Sequence, residues 1–75
     1  MDIHQATAKT LLFYRVRNNI SQEELAHRAN LHRTFISQIE RGIKIPTLAS
    51  IFKLSEALEI SPTEFVSKIE DNLNV

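Results

Sequence analysis

Residues 21–42 read SQEELAHRANLHRTFISQIERG, and this stretch carries the signals for two short helices joined by a tight turn. Ser21 followed by Glu24 is the pattern of a capping box, in which each side chain accepts a hydrogen bond from a backbone N–H group where a helix begins. The first of the two helices is therefore predicted to run from about residue 22 to residue 28 or 29.

The turn and the second helix follow from the next residues of the same stretch. Asn30 is of a residue type that adopts the left-handed conformation of a turn. The second helix begins near Arg33, and Gly42 ends it because glycine adopts a positive φ angle without steric cost. Two short helices with a three-residue turn between them form a helix-turn-helix. We predict this motif over about residues 22–41.

Further helices are predicted on both sides of the motif. Apolar residues recur on a helical spacing over residues 5–18 and predict a first helix there. Thr47 is a good N-cap for a fourth helix that ends near Glu59. The apolar residues assigned to this helix are Leu48, Ile51, Phe52, Leu54 and Leu58.

The strongest helix start in the chain lies near its carboxyl end. Ser61 can cap a helix whose first residue is Pro62, and Glu64 follows three residues after the cap. This pattern predicts a fifth helix over about residues 62–72. We therefore expect an all-α fold, in which five helices form one compact domain that spans residues 1–75.

Composition limits the classes of protein that remain. A chain of 75 residues has room for one core, and it has no cysteine for a disulfide framework or a zinc finger. No apolar run approaches the roughly 20 residues of a membrane span, and the first residues lack the pattern of a signal peptide. We expect a cytoplasmic protein that makes no contact with a membrane.

Charge is unevenly distributed, although the formal net charge of the chain is zero. Residues 26–46 hold four cations against one anion, a net charge of +3, whereas residues 54–75 hold one cation against five anions, a net charge of −4. A basic middle and an acidic end suggest that the middle of the chain meets an anion. The alternative is ordinary scatter of surface charge.

Three runs of this sequence resemble the Cro and phage-repressor (XRE-like) family: residues 21–26 (SQEELA), residues 36–42 (ISQIERG) and Pro46-Thr47. The resemblance extends from Thr10 to Phe65. Within the family, residues 31–37 (LHRTFIS) are most similar to controller proteins of restriction-modification systems. The resemblance implies a lambda-repressor-like domain that binds double-stranded DNA and regulates transcription.

The second helix of the motif carries the predicted base contacts. If Ile36 and Ile39 point inward, a period of 3.6 residues places a polar face on the outside. Arginine can donate two hydrogen bonds to guanine, and glutamine can pair with adenine. The predicted base-reading residues are Arg33, Thr34, Ser37 and Gln38. The alternative is that these residues form a solvated polar helix face with no role in binding.

Contacts to the DNA backbone are predicted from the same resemblance. The residues assigned to them are Ser21, Gln22, His32, Phe35, Arg41, Lys44 and Thr47. Ser21 could equally serve only as a helix cap, Lys44 could be a solvated loop charge, and Phe35 could pack in the core. Arg15 and Glu40 match a structural ion pair that joins the first and third helices in many members of the family.

A second copy of the chain is the expected protein partner. One short helix covers only a few base pairs, so a dimer would double the sequence that is read. The fifth helix has more apolar surface than a small core needs, and the predicted interface residues are Phe65, Val66, Ile69 and Leu73. The alternative is that this helix only closes its own core.

Other classes of function remain as alternatives. An antitoxin or phage-type repressor with this fold could also bind a partner protein. An enzyme ranks last, because no nucleophile with a base, paired carboxylates or phosphate-binding loop is visible, and we expect no cofactor and no small-molecule substrate. His27 and His32 lie five residues apart without a third ligand nearby, so no metal site is expected.

Overall fold

The computed structural model describes residues 1–75 and contains five helices and no strand. The helices are α1 (Ile3–Arg17), α2 (Gln22–Ala29), α3 (Arg33–Glu40), α4 (Leu48–Ala57) and α5 (Pro62–Leu73). The all-α five-helix fold expected from the sequence is confirmed, and α2 and α3 form the helix-turn-helix.

The start of α1 differs from the prediction. The helix begins at Ile3 and not at Gln5, because Asp2 caps it: the Asp2 carboxylate accepts a hydrogen bond from the backbone N–H of Gln5 at 2.8 Å. The Gln5 side chain in turn accepts from the backbone N–H of Asp2 at 3.1 Å. Both hydrogen bonds of a capping box are therefore formed here, and α1 begins two residues before its predicted start.

The capping box predicted at the start of α2 is only half formed. The Ser21 hydroxyl accepts a hydrogen bond from the backbone N–H of Glu24 at 3.0 Å, as predicted. The Glu24 carboxylate does not accept a hydrogen bond from the backbone N–H of Ser21, because it accepts one from Arg28 Nε at 2.8 Å, one turn along the helix. The cation lowers the pKa of Glu24, which is the expected result of a hydrogen bond to the charged carboxylate.

Left-handed residues lie in the turns that follow the first four helices, and Asn19, with φ +55°, is the one after α1. Asn30 has φ +55° and Gly42 has φ +73°, as their residue types predicted. Glu59 also lies in this region, with φ +60°, so α4 ends at Ala57, slightly before the predicted end. These turns are tight, and they hold successive helices at fixed angles.

The core lies where all five helices meet. Its fully buried large side chains are Leu11, Leu25, Ile36, Ile39, Leu54, Leu58 and Phe65. Helix α1 packs against α3 and α5, and α2 packs against α3 and α4. Helix α3 is therefore supported on two sides, which leaves its third side facing outward.

Candidate nucleic-acid interface

The outward side of α3 is polar, as the sequence predicted. Ile36 and Ile39 have 0 % of their surface exposed and anchor α3 in the core. Arg33 and Thr34 are exposed at the start of the helix, and Ser37 and Gln38 are partly exposed one turn later. The structure therefore brings the four predicted base-reading residues onto one exposed surface, which we call the α3 face.

The α3 face has the dimensions and chemistry to enter a DNA groove. An α-helix with its side chains is about 10–12 Å in diameter, and the major groove of B-DNA is about 12 Å wide. Each side chain on the face can donate a hydrogen bond, and Thr34, Ser37 and Gln38 can also accept one. The exposed His32 N-cap makes no side-chain hydrogen bond to α3, so the first N–H groups of the helix have no cap from that side chain.

Three exposed cations on or next to the α3 face have no anionic partner within the protein. Arg33 lies on the face, and Arg41 and Lys44 follow it at the end of α3 and in the next loop. None of the three forms an ion pair in the structure. Arg28 is the fourth cation of residues 26–46, and it is already paired with Glu24. Three of the four cations of the basic middle are thus free to bind an external anion.

The loop that carries Lys44 is held in place by the end of α3. The backbone N–H groups of Ile43 and Lys44 donate to the Gln38 carbonyl, at 2.8 and 3.3 Å, and Gly42 supplies the left-handed turn that makes this closure possible. Thr47, beyond the loop, caps α4 by accepting from the backbone N–H of Ser50 at 3.1 Å. Lys44 therefore projects from an ordered loop beside the reading helix.

Besides Thr47, two more of the predicted backbone contacts have structural roles in this chain. Phe35 is half-buried and packs against the core cluster, which is the alternative that the sequence left open for it. Its ring is therefore not part of the α3 face. The Ser21 hydroxyl accepts the capping hydrogen bond of α2, so it acts as a cap.

The ion pair predicted between Arg15 and Glu40 is present and is bidentate. Arg15 Nε donates to Glu40 Oε2 at 2.6 Å, and Arg15 Nη2 donates to Glu40 Oε1 at 3.0 Å. The hydrogen bond to Glu40 raises the pKa of Arg15, against the smaller effect of burial. Arg15 Nη1 also donates to the Ile20 carbonyl at 2.9 Å. The pair fixes the end of α1 and the following turn to the end of α3.

Gln22, predicted to hold a DNA phosphate, has a partner that the sequence did not suggest. Its side-chain Nε2 donates to Glu40 Oε1 at 2.9 Å. Gln22 is the first residue of α2, and it is partly exposed. No sequence signal links two residues 18 positions apart, because the contact depends on the angle between α2 and α3.

The apolar surface predicted on α5 is mostly turned toward its own core, which corrects the sequence-based interface. Phe65 is 0 % exposed and stacks on Tyr14 with ring centroids 6.1 Å apart, and Ile69 is also buried. Leu73 is partly buried and packs against the same core. Of the four predicted interface residues, only Val66 is well exposed.

A different apolar surface is exposed between α4 and α5. Leu48 is 72 % exposed and Phe52 is 56 % exposed, and together with Pro62 and Val66 they line a shallow groove. We call this surface the α4–α5 groove. The sequence assigned Leu48 and Phe52 to α4 without separating them from its core residues. A helix with this many large apolar residues cannot bury all of them on one face.

Neither histidine of the motif belongs to a cluster of metal ligands. His27 and His32 are both exposed, and the structure has no group of three His, Cys, Asp or Glu side chains arranged to hold a metal ion. None of the five helices combines the length and the apolar character needed to cross a bilayer.

Comparison with known proteins identifies the family. The helix-turn-helix family model matches residues 11–65. The control protein C.SmaI of Serratia marcescens is 38 % identical over 68 residues, which are 91 % of this chain and 81 % of that protein. This agrees with the Cro-like resemblance seen in the sequence.

Solved structures of controller proteins have the same fold. The restriction-modification controller protein C.AhdI from Aeromonas hydrophila superimposes with a TM-score of 0.79 at 34 % identity, over 83 % of this chain and 94 % of that one. The C.Esp1396I tetramer in complex with its natural 35 base-pair operator gives a TM-score of 0.88 at 27 % identity, over 100 % and 99 % of the two chains. The chain described here belongs to the helix-turn-helix family, and restriction-modification controller proteins are among its relatives.

Proposed function

We propose that this protein is a sequence-specific regulator of transcription that binds double-stranded DNA as a homodimer on near-palindromic operators. The observation that carries the proposal is the α3 face: two fully buried isoleucines fix the helix, and Arg33, Thr34, Ser37 and Gln38 lie together on its outer side. The neighbouring cations Arg41 and Lys44 supply charge for phosphate contacts. A solved relative in complex with its operator supports the same use of the fold.

The finer role that we propose is that of a controller protein of a restriction-modification system. Its support is the similarity to C.SmaI and C.AhdI, which cover most of the chain. The alternative, an antitoxin or repressor that binds a partner protein through α3, would require exposed aromatic or aliphatic side chains there. The α3 face offers polar side chains, which favours DNA.

The α4–α5 groove is the surface that we assign to the second copy of the chain. Leu48, Phe52 and Val66 expose large apolar side chains on neighbouring helices, and burial of such surface drives association. A two-fold axis through this groove would bring the same residues of both copies together. The two α3 faces of a dimer would then meet successive major grooves, roughly 34 Å apart.

Selection from a library of random duplexes tests the proposed function. We expect recovery of a near-palindromic sequence with two short half-sites whose centres lie about 10 base pairs apart. Recovery of duplexes without a shared sequence would contradict the proposal. Recovery of a single unrepeated half-site would contradict only the dimer.

Arg33→Ala is expected to relax the preference for one base in each half-site and to weaken binding by about 1–3 kcal/mol per contact. The reason is that the exposed guanidinium at the start of α3 can donate two hydrogen bonds to one guanine. Binding to the selected duplex and to its single-base variants is the measurement. Equal weakening on every duplex would show that Arg33 contacts phosphate and not a base.

Lys44→Ala is expected to lower affinity evenly across duplexes and to reduce the slope of log K against log salt by about 1. Lys44 lies in the loop beside α3, and its ammonium group forms no ion pair within the protein that a phosphate would have to displace. Titrations at several salt concentrations give the slope. Lys9→Ala removes a cation from the exposed side of α1 and is the matched control, with an unchanged slope. An unchanged slope for Lys44→Ala would remove Lys44 from the interface.

A further inference from the structure

Glu40 receives hydrogen bonds from two other parts of the fold. It is the last residue of α3, and its side chain is 7 % exposed. Arg15 of α1 donates to both carboxylate oxygens, and Gln22 of α2 donates to Oε1 at 2.9 Å. One carboxylate therefore links the helix that reads bases to the helix whose first turn is expected to meet a phosphate.

The chemistry of Glu40 determines how the Gln22 amide is oriented. An ionised carboxylate can only accept hydrogen bonds, so the Nε2 amino group of Gln22 must face it. One N–H of that amino group is used by Glu40. The second N–H and the carbonyl Oε1 have no protein partner among the side-chain hydrogen bonds of the structure.

This orientation matters because a DNA phosphate presents only acceptor oxygens. The second N–H of Gln22 and the backbone N–H groups at the start of α2 are donors of the kind that a phosphate requires. Contacts of this kind set the register of a protein on the duplex, whereas base contacts specify the sequence. The placement of Gln22 relative to Arg33 would therefore set where the base reader enters the groove.

We infer that Glu40 is a positioning residue for DNA recognition, which holds the Gln22 side chain so that its phosphate contact is in register with the bases read by α3. This inference rests on the proposed DNA-binding function. Arg15 has a second role in the same arrangement. Its charge offsets that of Glu40, which would otherwise repel a phosphate bound by the neighbouring Gln22.

A double-mutant comparison tests the inference. In the otherwise unchanged protein, Gln22→Ala is expected to lower affinity for the selected duplex about tenfold, the effect of one lost hydrogen bond to a charged group. In a background that carries Arg15→Met and Glu40→Met together, the same change is expected to cost less than about twofold, because Gln22 is no longer held. Replacing both partners avoids an unpaired buried charge.

Lys44→Ala is the control in both backgrounds. Lys44 forms no ion pair with Glu40, so its substitution should cost the same factor in each. An equal cost of Gln22→Ala in both backgrounds would overturn the positioning role while leaving DNA binding intact. A parent protein without sequence preference would instead overturn the proposed function, and the inference with it.

Side-chain dynamics give a second test that needs no variant. In the DNA-free protein, ¹⁵N relaxation of the Gln22 side-chain amide should give an order parameter close to the value of about 0.85 that is typical of a rigid backbone. An order parameter below about 0.6 would show that Gln22 is mobile and would overturn the inference. Gln38, which is partly exposed like Gln22 but forms no side-chain hydrogen bond within the protein, provides the side-chain amide for comparison.

Discussion

Phe52→Glu is expected to convert the protein from a dimer to a monomer at micromolar concentration and to lower operator affinity by about 100-fold or more. Phe52 is 56 % exposed in the single chain, so a glutamate there remains solvated and the fold is retained. In a dimer formed through the α4–α5 groove, the same carboxylate would be buried on a surface that is lined by Glu70 and by no cation, which is strongly unfavourable. Each half-site would then be bound by an unlinked domain.

Sedimentation velocity gives the oligomeric state, and titration of the selected duplex gives the affinity. Val16→Glu is the matched control, because it places the same charge on an exposed apolar residue of α1, away from the groove. The control should remain dimeric and retain its affinity. A dimeric Phe52→Glu protein would show that the α4–α5 groove is not the interface.

Phe65→Ala is expected to destabilise the fold by about 3–5 kcal/mol. The Phe65 ring is fully buried, and it packs on Tyr14 between α1 and α5. A 75-residue domain has a total stability of roughly 4–11 kcal/mol, so this single change removes a large part of it. The midpoint of thermal unfolding should fall by at least about 12 °C.

The measurement is made in the Phe52→Glu background, so that dimer formation does not contribute to the midpoint. Val66→Ala, the neighbouring substitution, is the control and should change the midpoint by only a few degrees, because Val66 is half-exposed in the single chain. A small effect of Phe65→Ala would contradict its place in the core and would favour the dimer contact that the sequence predicted for it.

The sequence predicted the helix-turn-helix because its signals are local. Ser21 caps α2, Asn30 and Gly42 adopt the left-handed conformation, and the spacing of Ile36 and Ile39 defines the buried side of α3. Each of these features depends on residues within one or two turns of each other. The polar side of α3 followed directly from the buried side.

The interface could not be derived in the same way. The spacing of apolar residues on α5 shows that Phe65 and Ile69 share a face with Leu73, but it does not show whether that face meets its own chain or a second copy. The structure answers this by packing α5 on α1, with Asn72 Nδ2 donating to the buried Thr10 hydroxyl at 2.9 Å. Leu48 and Phe52 of α4 then remain exposed, beside Val66 of α5.

Side chains with two possible partners were the other source of error. Glu24 could accept from the Ser21 backbone or from Arg28, and it accepts from Arg28. Glu64, which follows the α5 cap by three residues, accepts from the Tyr14 hydroxyl at 3.0 Å. Sequence spacing shows which partners are within reach, but the choice depends on groups that only the folded chain brings near.

A map of amide chemical-shift changes, recorded as the selected duplex is added to the protein, tests directly whether α3 reads DNA. If it does, the largest changes fall on the start of α3, the first turn of α2 and the loop around Lys44, and α1 residues near Val16 are little affected. Changes concentrated on α1 or on the α4–α5 groove, with the amides of Arg33 and Thr34 unmoved, would contradict this role of α3.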